Sequence, residues 1–127
     1  MTARNDGLSV SGSSASAYVH DTSLSGNGNY GVIVDAGQVI VADSSADSNW
    51  IGFASFGTLT LMNTRASTNS TGLLAAGALY FTNCLIVNNT TAYDVLSGGT
   101  IAGTTPGTNV IAPGQGNAGT LSTIALQ

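Results

Sequence analysis

The sequence predicts an all-β fold: a right-handed single-stranded parallel β-helix, or β-solenoid, with about six coils of 20–22 residues and three short strands per coil. Two observations lead to this prediction. Asn, Asp and Gly recur at a nearly constant interval, and the segments between them alternate between apolar and polar residues. A chain of 127 residues also favours a single domain, here residues 1–127.

The clearest repeat is a series of asparagines. Asn27, Asn49, Asn69 and Asn89 are separated by 22, 20 and 20 residues, and a further step of 22 residues back reaches Asn5. Stacked asparagines can form a ladder in which each side-chain amide bonds to its equivalent in the next coil. These residues are therefore predicted to form a structural ladder at one corner; the alternative is that they are simply turn residues.

Other corners of the coil are marked by a second polar series and by glycines. The polar series has the same three intervals, and its members are Asp21, Asp43, Asn63 and Asn83. The glycine series are Gly37, Gly57, Gly77 and Gly98, and Gly7, Gly31, Gly52 and Gly72. Because Gly and Asn tolerate left-handed backbone conformations, these residues are predicted to turn the chain at the corners.

The segments between corners contain the predicted core. Val39, Leu59 and Leu79 occupy equivalent positions in successive coils, and each is followed by a second apolar residue two positions later. Residues two apart lie on the same face of a strand, so these side chains are expected to point inward.

The regular pattern extends over about residues 5–97. Pro106 and Pro113 interrupt the strands after this point. Residues 98–127 are therefore predicted to form an irregular final coil and a terminal strand near residues 120–126.

The composition excludes several classes of function. Charged residues make up 6% of the chain, Lys and Glu are absent, and the formal net charge is −4. A nucleic-acid partner is not expected, because phosphate binding needs clustered basic residues. No apolar run reaches the roughly 18 to 20 residues of a membrane span. Cys84 is the only cysteine, which excludes an internal disulfide, and no cofactor is expected.

Three stretches of sequence resemble the right-handed β-helix, pectate-lyase-like repeat proteins of bacteria. They are Asn-Gly-Asn-Tyr-Gly-Val-Ile-Val at 27–34, Gly-Gly-Thr-Ile at 98–101 and Ser-Thr-Ile-Ala-Leu-Gln at 122–127. The resemblance covers nearly the whole chain and implies the fold, but the same fold serves lyases, hydrolases, adhesins and phage tail parts. It also implies an extracellular or cell-surface location, although the N-terminal residues show no signal peptide.

The resemblance raises the hypothesis of a polysaccharide lyase, which holds Ca²⁺ with clustered carboxylates and uses a basic residue as proton acceptor. Asp21 and Asp43 would lie about one coil spacing, ~5 Å, apart and are the weak metal candidates. The favoured interpretation is that Asp replaces Asn as a solvated corner residue and that no metal is bound. Arg65 is then expected to form a surface pair with Asp43 or Asp47.

No catalytic residue is predicted. His20 next to Asp21 and near Ser23 invites comparison with a catalytic triad, but no nucleophile-elbow sequence accompanies the three residues. Cys84 is equivalent to Thr64 in the repeat, at an inward position, so a buried thiol is expected.

Apolar residues at outward positions predict an interaction surface. Its predicted members are Leu74, Leu85, Val87 and Leu96 on one side, with the aromatic residues Tyr18, Tyr80 and Trp50. Low charge does little to oppose association, and the first coil, which starts near Leu8, has no obvious cap. The sequence therefore favours a non-catalytic structural or self-associating module, a surface or filament-forming component that forms a homo-oligomer or a head-to-tail stack. The alternative is a carbohydrate-binding or polysaccharide-lyase-like protein that acts on a glycan through one sheet face.

Overall fold

The computed structural model describes residues 6–104, 109–112, 116–118 and 121–124. These residues form a parallel β-solenoid of about five turns, with three parallel sheets and no helix. The predicted all-β fold with three short strands per coil is confirmed. Within these ranges the structure contains no helix that is long and apolar enough to cross a membrane.

Each sheet takes one strand from successive coils. Sheet A contains β1 (Leu8–Val10), β3 (Tyr30–Val34), β6 (Ile51–Ser55), β9 (Thr71–Ala75), β12 (Thr91–Val95) and β15 (Gly116–Ala118). Sheet B contains β2 (Ser16–His20), β4 (Gln38–Ala42), β7 (Thr58–Met62), β10 (Ala78–Thr82), β13 (Thr100–Thr104) and β16 (Leu121–Ile124). Sheet C contains β5 (Ser45–Asp47), β8 (Arg65–Ser67), β11 (Leu85–Val87) and β14 (Val110–Ile111).

The observed register confirms the predicted repeat. In sheet B, Val39 pairs with Leu59, which pairs with Leu79 in the next coil. After residue 98, strands β13 to β16 extend all three sheets, and Ile101 of β13 pairs with Leu121 of β16. An irregularity does occur where β12 pairs with β15. Pro106 and Pro113 lie outside the described residues.

The core runs through the centre of the stack. Inward-facing side chains from the three sheets meet there, and the largest fully buried ones include Phe53, Leu59, Leu73, Leu79 and Ile86. Burial of one such side chain contributes roughly 1.5–3 kcal/mol. The period-two pattern of the sequence therefore corresponds to a continuous apolar interior that all three sheets share.

A buried column of asparagine side chains runs beside this core. The backbone N–H of Asn49 donates to Asn69 Oδ1 at 2.8 Å, and the N–H of Asn69 donates to Asn89 Oδ1 at 2.9 Å. Asn27 donates in the same way to Asn49 Oδ1. The side-chain amide of Asn69 also donates to the carbonyl of Ala46 at 2.9 Å. The column therefore links a strand of sheet C to the turn that connects sheet C with sheet A in the next coil. Asn5 lies outside the described residues.

Asn49 and Asn69 are each followed three residues later by a glycine, Gly52 and Gly72, that leaves space for the column. A Cβ at Gly52 would lie 2.8 Å from the carbonyl oxygen of Gly72 and 2.9 Å from Nδ2 of Asn69. Such distances are too short for a real Cβ. Glycine is therefore required here by the close approach of the backbone, whereas Gly37, with φ of 89°, serves the left-handed turn that the sequence predicts.

Left-handed residues turn the chain at two corners of the coil. One set is the predicted polar series, Asp21, Asp43, Asn63 and Asn83. The second set immediately precedes the buried asparagines and consists of Ser48, Thr68 and Asn88, with φ between 55° and 59°. The left-handed turn at the asparagine corner is therefore made by the residue before each ladder asparagine. For a β-branched residue such as Thr68 this conformation is unfavourable.

Replacing a ladder asparagine is expected to destabilise the fold strongly. Asn69→Ala leaves the buried N–H of Asn49 without its acceptor, which should lower the free energy of unfolding by roughly 2–3 kcal/mol. Asn63→Gly is the control, because it keeps a left-handed residue and removes only exposed hydrogen bonds; we expect it to cost less than about 1 kcal/mol. Urea unfolding measures both. Equal losses would contradict the structural role of the buried column.

Relieving the left-handed threonine is expected to stabilise the protein. Thr68→Asn places at this position the residue type that occupies the equivalent position of the next coil, Asn88, with φ of 58°. The free energy of unfolding should rise by about 0.5–1 kcal/mol, because Asn tolerates this conformation better than a β-branched residue. Thr90→Asn, at an exposed position outside the left-handed set, should change it little. Thermal unfolding that ranks Thr68→Asn below the wild type would contradict this assignment of strain.

Candidate functional site

A polar groove of about 620 Å³ follows the corner between sheets B and C. Its lining includes the left-handed series Asp21, Asp43, Asn63 and Asn83. Asn83 Nδ2 donates to Asn63 Oδ1 at 3.0 Å, and Asn63 Nδ2 donates to Asp43 Oδ1 at 2.5 Å. Three of the four predicted residues are therefore linked in an exposed ladder. The groove presents carboxylate and amide groups to solvent at successive coils.

The fourth residue of this series, Asp21, makes a different contact. Its Oδ2 lies 3.0 Å from Nδ1 of His20, and both side chains are largely exposed. The Ser23 hydroxyl donates to Ser25 Oγ at 3.1 Å, so this serine is engaged with a residue outside the His-Asp pair. Among the described residues, no three His, Cys, Asp or Glu side chains are grouped as a metal site would require.

The inner wall of the same corner is closed by short hydroxyl and thiol side chains. Each donates to the backbone carbonyl two residues earlier, at 2.7, 2.7, 2.8 and 3.2 Å for Thr22, Ser44, Thr64 and Cys84. Cys84 is buried, as expected, and burial raises its pKa to about 11. The thiol therefore stays protonated near neutral pH and serves as a buried hydrogen-bond donor in the wall of this corner.

Arg65 and Asp47 form an ion pair next to the groove. Arg65 donates from Nε to both carboxylate oxygens of Asp47 at 3.2 Å, and its Nη2 contacts Oδ2. The backbone N–H and the hydroxyl of Ser67 donate to Oδ1 of the same carboxylate. Burial alone would raise the pKa of Asp47, but the hydrogen bonds from Arg65 and Ser67 and the charge of Arg65 bring it below its usual value. Of the two partners that the sequence left open for Arg65, the structure shows Asp47.

The predicted apolar interaction surface does not lie on one side of the solenoid. Leu74 belongs to sheet A, whereas Leu85 and Val87 belong to sheet C, which faces another direction. Leu74 is only 8% exposed, because it packs with Ile33, Ile51 and Ala54 in a second apolar cluster outside the main core. Leu74 is therefore not available to a partner.

The remaining predicted surface residues are exposed except for Val87, but they are dispersed over different sheets and corners. Leu85 and Leu96 are exposed, and Val87 is half-buried. Trp50 is also exposed and lies against Tyr30, with ring centroids 5.7 Å apart. Tyr18 and Tyr80 share the outer face of sheet B with Ile40 and Met62, which are exposed as well. The largest grouping of exposed apolar side chains on one sheet is therefore on sheet B.

The comparisons with known proteins add no family assignment. No family model matches the chain, and no curated protein or solved structure matches it either. The class that the fold defines is the parallel β-solenoid.

The Asp47–Arg65 pair is expected to make stability depend on pH. Because the folded-state pKa of Asp47 is lowered, its contribution to the free energy of unfolding is complete above the unfolded-state pKa of about 4 and is lost as the pH falls through the folded-state pKa. The Arg65 side chain is about half exposed, so solvent screens the pair, and this contribution should stay below about 1 kcal/mol. Urea unfolding between about pH 2 and pH 7 should show a smaller acid loss in Asp47→Asn than in the wild type. A double-mutant cycle with Arg65→Gln provides the control; additive effects would contradict the pairing.

Proposed function

We propose that the protein is a non-catalytic structural module that associates with copies of itself. The observation that supports this proposal most directly is the separation of charge from apolar exposure on the solenoid surface. The described part of the outer face of sheet B has no Asp, Glu, Lys or Arg, yet Tyr18, Ile40, Met62 and Tyr80 are exposed there. Exposed apolar groupings of this kind are typical of protein interaction sites.

The first coil offers a second reason for association. Strands β1 and β2 lie at the ends of their sheets, so the edges that face away from the stack have no partner strand among the described residues. Leu8, Val10, Ala17 and Val19 pack against the core but are only partly buried. A further coil, from the same chain or from a second copy, would pair with these edges and cover these side chains. This geometry favours the expected head-to-tail stack.

Three of the groups that could support catalysis are engaged in structural contacts. Asp47 is bound by Arg65 and Ser67, and the Ser23 hydroxyl bonds to Ser25. Cys84 is buried with a raised pKa. A structural role needs none of these groups to react, which is why we prefer it to an enzymatic one.

Sedimentation velocity across a wide concentration range tests the proposal. We expect the weight-average mass to rise above that of the monomer as concentration increases. High salt should leave the association intact, because few charges are involved. A single monomeric species at every concentration and salt level would contradict self-association.

Glycan binding in the polar groove is the second candidate function. It is favoured by the exposed ladder of Asp43, Asn63 and Asn83, whose carboxylate and amide groups match the donors and acceptors of sugar hydroxyls. The resemblance to bacterial pectate-lyase-like proteins also favours it, and with it a lyase-like activity on an acidic glycan. Titration calorimetry with neutral and acidic oligosaccharides, each with and without Ca²⁺, should detect binding that Asn63→Gly weakens. No heat and no cleavage product with any of them would exclude this candidate.

A further inference from the structure

Asn27 differs from the other asparagines of the buried column in the residue that follows it. The pair Asn27–Gly28 is the only Asn-Gly sequence in the chain. Because glycine has no Cβ, its backbone nitrogen can approach the side-chain carbonyl carbon of the preceding asparagine more easily than in other residue pairs. This approach is the first step of spontaneous deamidation, in which an asparagine loses its side-chain amide without an enzyme and which makes asparagine a thermolabile residue.

The pair lies in an insertion at the corner between sheets C and A. Two residues, Gly28 and Asn29, separate Asn27 from the start of β3, whereas Trp50 alone separates Asn49 from the start of β6. The extra residue lengthens the corner of the first coil, and Gly28 is exposed there. The regular backbone hydrogen bonding of the stack is therefore interrupted at this position.

The backbone N–H of Gly28 is available for the reaction. In the later coils, the residue after each column asparagine donates its N–H to a carbonyl of the preceding coil. These residues are Trp50, Ser70 and Thr90, with distances of 2.9, 3.3 and 3.1 Å. Within the residues that the structure describes, the N–H of Gly28 has no such acceptor. The nitrogen that must attack is thus engaged after three column asparagines and free after Asn27.

The side chain of Asn27 is also less enclosed than those of the other described column asparagines. Asn49 is 5% exposed and the later members are exposed even less, whereas Asn27 is half-buried. Its Nδ2 donates to the carbonyl of Leu24 and to Oδ1 of Asn49, both at 3.0 Å. These bonds must open before the side chain can turn towards Gly28, so the reaction in the folded protein is slower than in an unfolded chain.

We propose that Asn27 is a site of spontaneous deamidation that weakens the attachment of the first coil. The nitrogen of Gly28 attacks Cγ of Asn27, and the new C–N bond closes a five-membered succinimide ring. The side-chain nitrogen leaves as ammonia, with the proton of the Gly28 N–H. Water then opens the ring at either carbonyl and yields aspartate or isoaspartate. Water is the only co-reactant, and no oxidation or reduction takes place.

The product reverses the hydrogen-bonding character of this side chain. Nδ2 of Asn27 now donates to two oxygen atoms, the carbonyl of Leu24 and Oδ1 of Asn49. A carboxylate has no proton to donate, so its oxygens would repel both of these acceptors. The reaction therefore loosens the contact between the first and second coils slowly and irreversibly. Because it is intramolecular, it does not depend on the proposed self-association.

Incubation of the folded protein at mildly alkaline pH, followed by peptide mass spectrometry, tests the site. We expect Asn27 to convert at least about tenfold faster than Asn63, which is exposed but precedes a residue with a Cβ. Gly28→Ala should slow the conversion at least about tenfold, because its Cβ hinders the attack. Gly28 is not among the residues with positive φ, so alanine can adopt its conformation. Ser70→Ala is the matched control and should leave the rate at Asn27 unchanged.

Asn27→Asp reproduces the aspartate product and tests the structural consequence. Its midpoint of thermal unfolding should lie about 3–8 °C below that of the wild type, and wild-type protein aged to full conversion should approach the same value. Asn88→Asp, at an exposed left-handed position, is the charge-matched control and should change the midpoint little.

The possible outcomes test the site and its consequence separately. Circular dichroism first establishes that each variant is folded. An Asn27 amide that stays intact in the folded protein, while the urea-unfolded chain converts at the same residue, would overturn the proposal. Equal rates in Gly28→Ala and the wild type would also overturn it. Conversion at Asn27 with an unchanged unfolding midpoint would overturn the weakened attachment of the first coil.

Discussion

The buried asparagine column is the constraint on which the rest of the structure depends. The side chains of Asn49, Asn69 and Asn89 each accept a hydrogen bond from a backbone N–H of the preceding coil and donate to a backbone carbonyl of that same coil, so adjacent coils can stack in only one register. A shift by one residue would bury an amide without partners, at a cost of roughly 1–3 kcal/mol per group. The requirement for glycine at Gly52 follows from this column, because the backbone must pass close to the amide of Asn69.

The same constraint leaves the outward positions free to vary. A side chain on the outer face of a strand contributes little to the core, so its identity is not fixed by the stacking. Different parts of the solenoid surface therefore differ in chemistry. The corner between sheets B and C carries the polar groove, whereas the outer face of sheet B is almost without charge. The distribution of charge over these outward positions is therefore informative about function.

Much of the architecture can be predicted from the sequence because a side chain that bonds to its own equivalent must recur at the coil length. Asn27, Asn49 and Asn69 show this directly. The left-handed Thr68 could not be predicted, because Thr rarely adopts this conformation and only its place before Asn69 imposes it. The burial of Leu74 could not be predicted from the sequence either, since it depends on side chains of neighbouring coils.

The candidate surfaces were less predictable than the fold. The outward residues of sheet B can be identified from the repeat, but their exposure depends on their neighbours: Tyr18 is 64% exposed, whereas Ala42 and Ala102 are each 4% exposed. Arg65 had two possible partners at similar sequence distance. Asp47 lies on β5, which pairs with the strand of Arg65, whereas Asp43 lies at the left-handed corner before β5.

Hydrogen exchange of the asparagine side-chain amides, followed by NMR, tests the central structural claim most directly. The amides of Asn49 and Asn69 are buried and bonded within the column, whereas those of Asn63 and Asn83 lie on the exposed ladder. If the buried column fixes the stacking, the first pair should exchange at least about a hundredfold more slowly, because exchange then requires local opening of the stack. Similar exchange rates for the two pairs would contradict the account.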